Sequence, residues 1–201
     1  MNLIERVKNI ILKPKEEWVV VDQEEATPSG LFTGYLLPLV LLAAAAAFIG
    51  NGLIGRSMFG VKIGGTISWG IYAAVSAVVT YAIGYFVTTY VVDMLAPSFK
   101  SEKNLNKSAQ MVAYSYTPGL IGALFGVVPA LAIIGSLFGL YSLYLIWTGL
   151  PILKRTPDEQ RVPYIVVTIL VLIAVYVVIG IILSAILLPL FGLSMAGMVG
   201  A

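Results

Sequence analysis

The chain has 201 residues, 59% of them hydrophobic and 11% charged, with a formal net charge of +2 and a mean hydropathy of +0.96. A soluble domain carries about one quarter charged residues, so this composition excludes the soluble fold classes and identifies an integral membrane protein. The absence of histidine and cysteine excludes Ser-His and Cys-His nucleophiles, thiolate metal sites, haem attachment and disulfides.

In chain order, MNLIERVKNIILK puts Leu3, Ile4, Val7, Ile10 and Ile11 on one helical face and Glu5, Arg6, Lys8 and Asn9 on the other. This pattern predicts an interfacial amphipathic helix, ended by Pro14, with Trp18 at headgroup depth. Its simplest role is an anchor on the cytoplasmic leaflet, and a lipid sensor is the alternative. No apolar core of about 7 to 15 residues follows the first basic residues, so a cleavable signal peptide is not expected. DQEEATPSG, residues 22–30, reads as a hydrated acidic linker. Residues 1–30 are therefore expected to form a cytoplasmic segment, and residues 31–201 the membrane domain.

Five apolar runs reach the length of about 20 residues that a spanning helix needs. They are Leu31 to Ile54, Thr66 to Val92, Ala109 to Val128, Ala130 to Leu153 and Tyr164 to Phe191. Open sheets cannot cross a bilayer, and a barrel shows short alternating segments, so the expected fold is an all-α bundle of five transmembrane helices. Spans three and four should meet in a tight turn at Pro129. With the N-terminus inside, all twelve basic residues except Arg56 and Lys62 fall in cytoplasmic segments, and the C-terminus is outside.

Polar residues recur inside three spans. In the second, Tyr81, Tyr85, Thr89 and Asp93 repeat every four residues beside a row of Ser76, Thr80, Gly84 and Thr88. In the fourth, Tyr141, Tyr144 and Thr148 share a side, whereas the last span is nearly apolar all round and should face lipid. Spans two, three and four are expected to form the core. The third holds YSYTPGLIG, residues 114–122. Pro118 removes the hydrogen bond to the Tyr114 carbonyl and bends the helix, and the hydroxyls of Ser115, Tyr116 and Thr117 are expected to repair the break. A substrate-binding break is the other reading of that cluster. Asp93 needs a partner, either Lys100, Lys103 or Lys107 in the following loop or the hydroxyls of Tyr114 and Tyr116. No pair of intramembrane carboxylates, Gly-rich phosphate loop, nucleophile elbow or dinucleotide fingerprint is present, so no enzyme, cofactor or metal site is expected. The basic residues form no nucleic-acid patch and at most favour anionic membrane lipids.

Six segments, ILKPKEEW (11–18), YLLPLVLLAAAAAFIG (35–50), DMLAPSFKSEKN (93–104), AYSYTPGLIG (113–122), LYSLYLIWTGLP (140–151) and RTPDEQRVPY (155–164), resemble the prokaryotic branch of the Yip domain family. Its eukaryotic members are Ypt/Rab-interacting membrane proteins of vesicle trafficking. The resemblance runs over nearly the whole chain and implies five spans, an inside N-terminus, an outside C-terminus and a prokaryotic plasma (inner) membrane. The longer eukaryotic N-terminal region and the Asp-Leu-Tyr-Gly-Pro motif are not in this sequence, so binding of Rab-type GTPases is not carried over. Two functional readings stay open. One is a non-enzymatic scaffold or membrane-organisation factor that associates with itself or other membrane proteins through Gly30–Gly34, Gly122–Gly126 and Gly135–Gly139. The other is a small transporter or channel-like protein with a polar pocket between spans two, three and four, broken at Pro97, Pro118 and Pro151.

Overall fold

The computed structural model describes residues 2–58, 61–128 and 131–193. In chain order these form α1 (Leu3–Leu12), α2 (Pro14–Gln23), α3 (Pro28–Ile54), a small antiparallel hairpin of β1 (Arg56–Met58) and β2 (Val61–Ile63), α4 (Ile67–Leu95), α5 (Leu105–Ser115), α6 (Thr117–Leu124), α7 (Ala132–Leu153) and α8 (Asp158–Leu190). Turns of 3₁₀ helix extend α4 to Phe99 and α6 to Val127. Within α3, a widened π turn over Phe32–Leu36 comes just before Pro38, where a regular helix would bring the proline ring against a carbonyl.

Four stretches are long and apolar enough to cross a membrane: Pro28–Ile54, Ile67–Phe99, Ile133–Leu153 and Asp158–Leu190. The expected third span, 109–128, is not one continuous helix but the two shorter helices α5 and α6. Pro118 is the cause: it cannot donate to the Tyr114 carbonyl, and it takes a place in the first turn of a new helix, where no donor is required. The turn expected at Pro129 lies outside the described residues.

Helices α6 and α7 pack at backbone distance. A Cβ on Gly122 would stand 2.4 Å from the Gly135 carbonyl oxygen, and one on Gly135 equally 2.4 Å from that of Gly122. These two motifs, expected to face other chains, are thus partly spent inside this one, whereas Gly34, Gly126 and Gly139 have nothing within 4 Å of a Cβ position. Gly135→Ala should therefore lower the unfolding temperature in detergent, at a cost of about 1–3 kcal/mol for overpacking, while Gly139→Ala leaves it unchanged or raised.

The core is wider than spans two to four. In α3, 39% of the most apolar window is buried, against 17% for the second stretch, 22% for α7 and none for α8. Ala43, Ala44 and Ala46 are buried there, because their small side chains let α3 close on its neighbours. Helix α5 is central, with every residue from Ser108 to Ser115 buried, and α8 is peripheral as its composition implies.

Asn2 caps α1 by accepting from the Glu5 amide at 2.8 Å, and Pro14 opens α2 directly after α1 ends. The two short helices fold back on each other against α5 and α7. The apolar side of α1 is divided, with Ile10 fully buried and Ile4 and Leu12 exposed. Trp18, expected to meet the headgroups, is covered by protein. It is fully buried, and its Nε1 donates to Thr148 Oγ1 at 3.1 Å. Gly149 makes room for it, since a Cβ there would lie 3.1 Å from the indole.

Candidate functional site

The polar residues gather at the end of the bundle that carries α1, α2 and the loops after α4 and α7. At its centre Asp93, near the end of α4, meets Lys154, the residue that ends α7. Lys154 Nζ donates to Asp93 Oδ1 at 3.0 Å and to Ser108 Oγ at 2.7 Å, and Ser108 Oγ lies 3.0 Å from the same carboxylate oxygen. The Asn104 carbonyl accepts from Lys154 at 3.2 Å. Lys154 is fully buried and Asp93 is 5% exposed. Burial pushes the Lys154 ammonium below its ordinary range, against the hydrogen bond and charge of Asp93, which favour the charged form.

This corrects both expectations for Asp93. Lys100 and Lys103 are exposed, and Lys107 is engaged elsewhere. The chain turns at Lys100, which adopts a left-handed backbone (φ 52°). The loop then returns to the end of α7, where the Glu102 amide donates to the Lys154 carbonyl at 2.7 Å and Ser101 Oγ lies 2.9 Å from Thr156 Oγ1.

A second cluster pins the N-terminal helices. Arg6 Nη1 donates to Glu17 Oε1 at 2.6 Å, Nη2 reaches the Glu24 carboxylate, and the guanidinium carbon stands 5.1 Å from the centre of the Tyr114 ring. The C-terminal carbonyls of α2 face α5: Lys107 Nζ donates to Asp22 O at 2.5 Å, and Gln110 Nε2 to Val21 O at 3.1 Å and Glu24 O at 2.9 Å. A cation and an amide there complement the negative end of the helix. Within the acidic stretch read as a hydrated linker, Glu24 is therefore engaged and Asp22 also accepts from Arg155 at 2.7 Å, while Gln23 and Glu25 stay exposed.

The hydroxyls below join helices in pairs. Tyr35 and Thr117 lie 2.6 Å apart, Thr88 and Tyr116 2.9 Å, and Tyr116 and Tyr176 2.6 Å. Tyr85 donates to the Pro28 carbonyl at 3.0 Å, Tyr141 to the Ile11 carbonyl at 2.6 Å, and Tyr164 to the Val92 carbonyl. The ring of Tyr81 packs against that of Tyr116, Tyr114 against Tyr35 and Trp18, and Tyr144, partly exposed, against Tyr141. Thr89 is fully buried. The hydroxyls of the broken helix do not repair its break. Tyr116 and Thr117 are taken by neighbouring helices, and Ser115 Oγ is buried without a partner.

Composition alone missed Lys154, Ser108, Gln110, Tyr164 and the Arg6–Glu17 pair. The one signal present for Tyr176 was its place as a tyrosine midway along an otherwise largely aliphatic span. Among the described residues no group of three or more His, Cys, Asp or Glu is placed to hold a metal ion.

The family model of the Yip1 domain matches residues 8–182, most of the chain. No curated protein and no solved structure matches. The helical membrane architecture and this match lead to one assignment: the chain belongs to the Yip1 domain family.

Proposed function

We propose that this protein is a non-enzymatic membrane scaffold that works through helix contacts with other copies or other membrane proteins. The observation that carries this reading is the use of the polar groups. Asp93, Lys154 and Ser108, then Thr88, Tyr116 and Tyr176, then Tyr35 and Thr117, bond to one another across helix seams and so hold the bundle shut. A conducting path needs such groups facing an open passage. In this reading the partners are membrane proteins and lipids, with no cofactor, no nucleic acid and no Rab-type GTPase. The basic end of the bundle and the N-terminus face the cytoplasm of a prokaryotic cell, and the C-terminus lies outside its plasma membrane.

One feature favours the transport reading, an open cleft of about 440 Å³ lined by Ala47, Asn51, Tyr81, Gly126, Ser136 and Gly139. Photocrosslinking from position 139 in native membranes, paired with solute flux in proteoliposomes, separates the two. The scaffold reading expects defined crosslinked species and flux equal to protein-free vesicles. Solute flux well above that background, with no crosslinked species, contradicts it.

A further inference from the structure

The outer surface of the bundle is not equally tall on its two sides. On one side, α1 and α2 cover part of α5 and α7 with an outward face that carries the exposed charges Glu5, Lys8, Lys13, Lys15 and Glu16 together with the exposed apolar residues Ile4, Leu12, Val19 and Val20. The height of this charged face is fixed by contacts. Tyr141 of α7 donates to the Ile11 carbonyl at 2.6 Å, and Ile11 shares a surface hollow with Pro118 and Leu137. The charged turn at Lys13 to Glu16 directly follows. From Tyr141 down to Ala132, where α7 begins, is about 14 Å of helix, roughly half of the 30 Å that a hydrocarbon core measures.

The far side is much taller. Exposed apolar residues on α8 run from Val162 to Leu190, 56% and 71% exposed, over about 42 Å of helix. On α4 they run from Ile67 to Met94, also strongly exposed, over about 40 Å. Tilt shortens a long helix along the membrane normal, but nothing lengthens the short side. Lysine stems let Lys13 and Lys15 reach toward the headgroups by several ångströms, and Leu12, exposed next to Lys13, suits the boundary between headgroups and acyl chains. The mismatch on that side still exceeds what side chains absorb.

We propose that the protein thins the bilayer on its α1–α2 side, and that it consequently collects in thin or strongly curved membranes. The partner is the lipid bilayer itself, selected by thickness. The charged turn at Lys13 to Glu16 sets the upper edge of the short side, and α8 holds the protein across the full membrane on the other. This inference does not depend on the scaffold reading: a membrane-thinning protein with no protein partner satisfies it equally.

The test reconstitutes the whole chain into mixed populations of phosphatidylcholine vesicles with 14-carbon or 20-carbon chains and measures where it partitions. The wild type is expected to favour the thin vesicles at least fivefold. The triple variant Lys13→Leu, Lys15→Leu, Glu16→Leu removes only exposed charges, one pair of which is 3.9 Å apart at the surface, and is expected to lose most of that preference. A single cysteine at Lys15 provides a second reading, because the native chain has none. A fluorophore there should be quenched by headgroup-labelled lipid and not by lipid labelled at mid-chain. Equal partition of the wild type between the two thicknesses, or an unchanged preference in the triple variant, overturns the proposal.

Discussion

Asp93→Asn should cost about 3–5 kcal/mol of stability, because it leaves the fully buried Lys154 ammonium without its counter-charge. Lys154→Met should cost a similar amount by stranding the carboxylate. The double variant Asp93→Asn, Lys154→Met is expected to recover most of the loss, since two charges leave the interior together, and thermal unfolding in detergent reads all three. Additive losses in the double variant contradict the pairing. The pH dependence has a fixed sign. Lys154 titrates below its ordinary 10.5 in the folded chain, so between that lowered value and 10.5 the unfolded chain holds more protons, and stability rises with pH. Lys154→Met should abolish this rise. The pair is therefore better understood as a device that selects one arrangement of α4, α5 and α7 than as a source of net stability.

The second large effect belongs to Arg6. Arg6→Met strands Glu17, which is 4% exposed, and removes the cation from the face of Tyr114. A cost of about 3–5 kcal/mol is expected from the unpaired carboxylate. It should appear first as release of α1 and α2, measured as faster hydrogen exchange over residues 3–23 while α3 and α4 stay protected. Adding Glu17→Gln to Arg6→Met should restore most of the protection. Uniform loosening of the whole bundle by Arg6→Met would mean that the N-terminal helices are integral to its folding rather than clamped onto it.

Much of this architecture was legible in the sequence, for reasons the particular residues make plain. Length and hydropathy alone locate α3, α4, α7 and α8, because a bilayer demands long uninterrupted apolar runs. Pro118 announced the break, since its missing amide acts locally whatever surrounds it. The partners of the polar groups were not legible. Asp93 meets Lys154 across a separation of 61 residues, and no local spacing reports such a contact. The lysines near it in sequence were the natural expectation, but Lys100 and Lys103 are exposed and Lys107 is held by the carbonyls that end α2. Tyr116 and Thr117 stood out beside Pro118, but their hydroxyls join other helices, because donors and acceptors across a seam compete with the broken backbone. The amphipathic N-terminus reads as an interfacial helix with its charges facing water. Its Arg6 is buried only because α2 folds back and brings Glu17 beneath it.

The account rests on a bundle closed by its own polar groups, and the absence of native cysteines makes a direct test simple. Single cysteines at Thr88, Ser108 and Ser115, in protein reconstituted into vesicles, are to be exposed to a charged, membrane-impermeant thiol reagent from each side in turn. A closed bundle predicts that none of the three reacts from either side, while a control cysteine at the exposed Lys103 reacts fully from one side. Complete labelling at Thr88 or Ser115 would place those groups in a water-filled passage and contradict the closed bundle.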